Sequence, residues 1–77
     1  MEIKILGPGC PNCKKLYALT EKLVEENNID ATLSKVEDII EIMKYNIIST
    51  PAVVINEKVV VKGRVPGEQE LKEFLTK

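Results

Sequence analysis

Apolar and polar residues alternate at the start of the chain. Over Glu2–Leu6, "EIKIL", the β-branched residues and the period of two predict a strand, which Gly7, Pro8 and Gly9 end. The period then lengthens. From Pro11 to about Asn27, Cys13, Leu16, Tyr17, Thr20, Leu23 and Val24 share one helical face. Pro11 suits the first helical position, where a missing N–H needs no partner, and Asn27 and Asn28 suit the end. "DATLSKV", Asp30–Val36, predicts a second strand with Ala31, Leu33 and Val36 directed inward. Val36, Ile39, Ile40, Met43 and Ile47 mark a second helix, which Thr50–Pro51 separates from a third strand, "AVVIN", Ala52–Asn56. "NEK" connects it as a hairpin to "VVVK", Val59–Lys62. After the loop "GRVPG", Glu68 to Thr76 forms a last helix with Leu71, Phe74 and Leu75 inward.

The order β-α-β-α-β-β-α describes an α/β domain. Two strands joined through a helix pair in parallel with a right-handed crossover, and the last two form a hairpin. A four-stranded mixed sheet flanked by helices accommodates all seven elements. At 77 residues, one domain spanning 1–77 is the expectation.

Composition narrows the chemistry. Formal net charge is −1 and only 4% of residues are aromatic, so neither a basic footprint nor stacking platforms for nucleic acid are present. No apolar run is long enough to span a membrane. "MEIKILG" lacks the charged and apolar regions of a leader, and a cytoplasmic location follows as the expectation. In that reducing compartment two lone cysteines rarely form a static staple. The chain has no histidine, which removes Ser-His and Cys-His catalysis and every imidazole metal site. Ser34 and Ser49 have no evident base. Thiols, carboxylates, lysines and backbone remain.

Both cysteines lie in "GPGCPNCKK", at the junction of the first strand and first helix. Spacing i, i+3 puts both sulfurs on one side of the first helical turn. Cys10 precedes the helix, where unpaired N–H groups and the positive dipole end favour a thiolate, and Lys14 and Lys15 add positive charge. Cysteines in such settings have pKa values of roughly 3.5–7.5 rather than about 8.5. Cys13 lies one turn in, on the apolar face, and is shielded. An exposed thiolate beside a shielded thiol is the asymmetry that dithiol exchange needs. Two other readings stay open: half of a soft-metal site, incomplete with two thiols and no histidine, and a pair of small buried residues.

"GCPNC" after a strand and before a helix, together with "STPAVVINEKVVVKG", resembles the thioredoxin superfamily over nearly the whole chain. The small size is similar to glutaredoxins and, more so, to small archaeal thioredoxin-like proteins. The resemblance implies a thioredoxin-like fold and a protein disulfide reductase. Cys10 then matches the attacking cysteine and Cys13 the resolving one. Pro51 matches a cis-proline facing the disulfide, with Thr50 before it, and Gly63 matches a glycine bordering the substrate groove. Pro11 and Asn12, between the thiols, join Thr50, Pro51 and Gly63 as expected substrate-binding residues. The redox centre is the Cys10–Cys13 disulfide itself, with no bound cofactor and no metal. Implied partners are disulfide-containing proteins and a flavoprotein disulfide reductase, with neither nucleic acid nor membrane, for a monomer.

The chain departs from the superfamily at several points. Gly9 stands where thioredoxins carry Trp, and Pro-Asn separates the cysteines. The first strand offers Glu2 and Lys4 but no buried acid to move the Cys13 proton. "RVPGEQEL" is not the stretch with which glutaredoxins hold glutathione. Two rival functions use the same thiols: a soft-metal carrier, whose ferredoxin-like fold ends in a strand rather than a helix, and a redox-dependent interaction module. Tyr17 is expected to pack and Arg64, beside the expected groove, to lie in solvent, while for Lys14 and Lys15 a solvated helix face and electrostatic tuning of the thiols both stay open.

Overall fold

The computed structural model describes residues 1–9, 11–47 and 49–76. Seven elements follow in order: β1 (Glu2–Leu6), α1 (Pro11–Glu26), β2 (Thr32–Val36), α2 (Ile39–Met43), β3 (Ala52–Ile55), β4 (Lys58–Lys62) and α3 (Glu68–Thr76). They build the expected α/β architecture around a mixed four-stranded sheet of order β2-β1-β3-β4. β1 and β2 are parallel, while β1–β3 and β3–β4 are antiparallel.

Alternation along the strands divides the interior into two layers. Ile3 and Ile5 of β1 and Val53 and Ile55 of β3 meet Leu16 and Leu23 of α1 and Leu71 and Leu75 of α3. Leu6, Ala52 and Val54, on the opposite sheet face, meet Ile42 and Ile47. Each fully buried aliphatic side chain contributes about 1.5–3 kcal/mol of transfer free energy. Thr20 is buried within the first layer and its hydroxyl donates to the Leu16 carbonyl at 2.8 Å, so no polar group is orphaned there.

Local chemistry explains the boundaries. α1 stops where Asn28 takes φ 51°, and the Ile29 N–H closes the end on the Val24 carbonyl at 3.0 Å. The hairpin is tighter than the expected "NEK". Asn56 and Glu57 both have positive φ, the two-residue turn whose twist suits the flanking strands, so pairing begins at Lys58. Val60 is an extra residue in β4, forming a bulge opposite Val53 and Val54. β2 is shorter than expected, beginning at Thr32 rather than Asp30.

The second helix differs most from the reading of the sequence. α2 has five residues, and Ile42 with Ile47 turns inward, whereas Ile39, Ile40 and Met43 are 53%, 69% and 61% exposed. Asp38 sets this start by accepting the Ile40 N–H at 2.9 Å. With four apolar residues in five, every side of the turn is apolar, and only one side can meet the sheet. Among the described residues, no helix is long and apolar enough to cross a membrane.

Candidate functional site

The site lies where β1 runs into α1. Hydrogen bonding to β2 extends past the end of β1, as the Gly7 N–H donates to the Val36 carbonyl at 2.9 Å. α1 then begins at Pro11, with Pro11 and Asn12 exposed on its first turn and Cys13 buried at 5% exposure. Cys13 is disulfide-bonded. Cys10, the expected nucleophile, lies outside the described residues.

Gly7 makes the close packing possible. A side chain there would overlap the Cys13 Sγ, and the same point lies 3.8 Å from the Cβ of Thr50. Gly7, just past β1, thus presents only backbone to Cys13, and the segment before β3 comes to the same place from 37 residues downstream (Cys13 to Thr50). The Thr50–Pro51 peptide is cis, and Pro51 is buried. Gly63, at φ 76°, donates its N–H to the Pro51 carbonyl at 2.9 Å. The structure therefore brings Cys13, Thr50, Pro51 and Gly63 to one end of the sheet.

Two features escaped the sequence. Ile39 and Met43 line a shallow cavity with Pro8, Ile42, Ile47 and Thr50, so the exposed side of α2 is continuous with the site. On the other sheet face a small cavity joins Cys13 to Gly7, Gly9, Lys14, Lys35 and Glu37. The parallel register sets Lys35 opposite Ile5 and carries Glu37 to the loop before α1. No local pattern marks this approach; only the strand pairing creates it.

Other expected bystanders have defined places. Tyr17 packs against the first layer, and the Lys35 ammonium lies 4.6 Å from its ring centroid. Arg64 is not free in solvent but makes a two-pronged pair with Glu70 at 2.7 and 2.6 Å. That pair raises the Arg64 pKa and holds the Glu70 carboxyl below the usual carboxylate range. Lys4 lies away from Cys13, donating to Glu57 at 2.8 Å and Tyr45 at 2.9 Å. These bonds, Glu57 first, push its pKa up, and the Lys4 ammonium in turn lowers that of Glu57.

Comparison with known proteins agrees with this geometry. The family model described as a thioredoxin domain matches residues 1–76. A protein named thioredoxin from Methanocaldococcus jannaschii is 41% identical over 73 residues, covering 95% of this chain and 84% of the relative. A thioredoxin from Methanothermobacter thermautotrophicus is 30% identical over 76 residues, covering 99% of each chain. A probable thioredoxin from Archaeoglobus fulgidus is 34% identical over 74 residues, covering 92% of this chain and 80% of the relative.

Proposed function

The chain belongs to the thioredoxin family, whose activity is thiol–disulfide exchange, and on that premise we propose that it reduces protein disulfides through the Cys10–Cys13 dithiol of its CPNC motif. The observation that carries the reading is the disulfide-bonded Cys13, buried in the first turn of α1 against Gly7 and beside Thr50. Cys10, which precedes the helix in the sequence, is the attacking thiolate in this reading. Its sulfur forms a mixed disulfide with the substrate, and Cys13 then displaces the substrate and restores the enzyme disulfide.

Pro11, Asn12, Thr50, Pro51 and Gly63 form the substrate-contact set in this reading. Proline presents no N–H of its own, so the backbone of Thr50 is left to pair with an extended substrate segment, as in strand addition. The hydrogen bond between Gly63 and Pro51 ties the two bordering loops together and supports this assignment. The enzyme needs no bound cofactor, acts as a cytoplasmic monomer, and is recharged by a flavoprotein disulfide reductase.

Turnover of a protein disulfide with dithiothreitol as electron donor tests the reading. Cys10→Ser abolishes turnover, and Cys13→Ser accumulates a covalent mixed disulfide through Cys10, visible by mass spectrometry. Trapping through Cys13 instead reverses the two roles. A reduced protein that retains one soft metal ion and shows no turnover replaces the oxidoreductase by the metal-binding reading.

A further inference from the structure

A buried resolving thiol must lose its proton before it can attack. The ordinary thiol pKa is about 8.5 and apolar burial raises it, so such a group needs a base at neutral pH. Cys13 is buried, and β1 offers it no acid: Ile5 of that strand and Gly7 just beyond its end are the neighbours from this segment. The cavity on its open side has a volume of about 40 Å³, enough for a water molecule to enter.

We propose that Glu37 is the proton acceptor for Cys13, reached through a water in this cavity. The inference rests on the oxidoreductase reading above. Its basis is the pair of glycines that form the loop side of the cavity. Gly7 lets the Cys13 sulfur approach the backbone from one side. Gly9, at φ 90°, lets Glu37 approach from the other, with Oε2 3.2 Å from where a Cβ would stand. Glu37 and Cys13 therefore face the same small space although neither is near the other in the chain.

Among the described residues, the charged and titratable groups around Cys13 leave one acceptor. α1 contributes Lys14 and Tyr17, and the end of β2 contributes Lys35 and Glu37. Ser49, Thr50 and Pro51 bring no titratable side chain. An ammonium has no lone pair to receive a proton, and that of Lys35 is held over the Tyr17 ring. Asp38 is engaged at the start of α2, where it accepts the Ile40 N–H. The carboxylate of Glu37 lines this cavity and has lone pairs that can receive the proton. Lys14 and Lys35 serve instead to stabilise the thiolate that forms.

The Cys10 thiolate attacks one sulfur of the substrate disulfide, and the other substrate sulfur leaves as a thiolate. The Cys13 S–H gives its proton through the water to Glu37. The Cys13 sulfur attacks that of Cys10, breaking the bond to substrate, and the second substrate sulfur leaves. The substrate disulfide gains two electrons, the enzyme dithiol loses two, and the departing thiolates take up protons, one of them supplied from Glu37.

Single-turnover reduction of a peptide disulfide by the prereduced protein tests this, with Glu37→Gln compared with wild type across pH. At about pH 6.5 the substitution should slow resolution by about a hundredfold, the low side of a general-base contribution. As the pH rises well past the ordinary thiol pKa of about 8.5, the two rates should converge. Glu37→Asp should recover part of the loss. In a Cys13→Ser background Glu37→Gln should leave mixed-disulfide formation unchanged, since that step belongs to Cys10. Equal rates at about pH 6.5, or a loss that is the same at every pH, overturn the assignment of Glu37. Absence of turnover in the wild type overturns the oxidoreductase reading itself, and the two failures are thereby distinct.

Discussion

Gly7 shows how much one missing side chain decides. Its backbone fills the space between Cys13 and Thr50, and any Cβ there meets the Cys13 sulfur. Gly7→Ala should destabilise the protein by about 1–3 kcal/mol, the usual range for overpacking. The cost should be larger in the oxidised protein, where the Cys13 sulfur is tethered by the disulfide, than in the reduced one, where that tether is gone. Urea unfolding of both redox forms checks this; equal losses in the two forms would show that the overlap is relieved by the backbone. Gly63 is a second residue of this kind. It adopts φ 76° with the Ser49 Cβ 3.1 Å from the position of a Cβ, so Gly63→Ala should combine an unfavourable backbone with a tight contact. Both glycines stood out in the chain as punctuation between elements. What each must avoid touching was not readable, because the partner comes from a distant segment.

Among the elements, α2 separates pattern from packing. Its residues Ile39, Ile40, Ile42 and Met43 are all apolar, and only Ile42 is buried. Ile42→Ala should therefore cost about 2–5 kcal/mol, as for other aliphatic truncations in a core. Ile40→Lys, at a position 69% exposed, should change stability by no more than about 0.5 kcal/mol. Thermal or urea unfolding of the two variants decides the matter, and a costly Ile40→Lys with a harmless Ile42→Ala would place the opposite side of α2 against the sheet. The start of the helix has its own test. Asp38→Ala removes the bond to the Ile40 N–H and should cost about 0.5–2 kcal/mol, with faster hydrogen exchange at the amide of Ile40. By contrast β1, α1 and α3 were legible, because each has a clear period and is bounded by Gly, Pro or Asn. α1 is long enough for Leu16, Thr20 and Leu23 to select one face, which a helix of five residues is not.

For the molecule as a whole, pH should act mainly on the acid side. Glu57 is held below the usual carboxylate range by Lys4, and Glu70 by Arg64. A carboxylate with a depressed folded pKa contributes stability that is present above its unfolded pKa, about 4.3, and is lost as pH falls through the folded one. The oxidised protein should therefore lose stability below about pH 4.3, and Lys4→Met should flatten part of that decline. Lys4 and Arg64 have raised pKa values, so their side of each pair is present at neutral pH and is lost only far into the alkaline range. Between about pH 7 and 9 neither contributes a slope. Urea midpoints measured from acid to pH 9 test both limbs; because these pairs are exposed, added salt should shrink the acid effect.

The sequence by itself determined the order of the elements and the two halves of the site. The Cys-x-x-Cys spacing is local, so Cys10 with Cys13 could be found from the chain alone, whereas Thr50–Pro51 with Gly63 entered through the resemblance to the thioredoxin superfamily. The tertiary structure alone decided which residues face one another across those halves. Parallel pairing of β1 with β2 brings Lys35 and Glu37 to Cys13, and packing on the sheet selects Ile42 over its apolar neighbours. The physical reason is that a pattern along the chain reports which side of an element is apolar, whereas strand register and packing determine what that side meets.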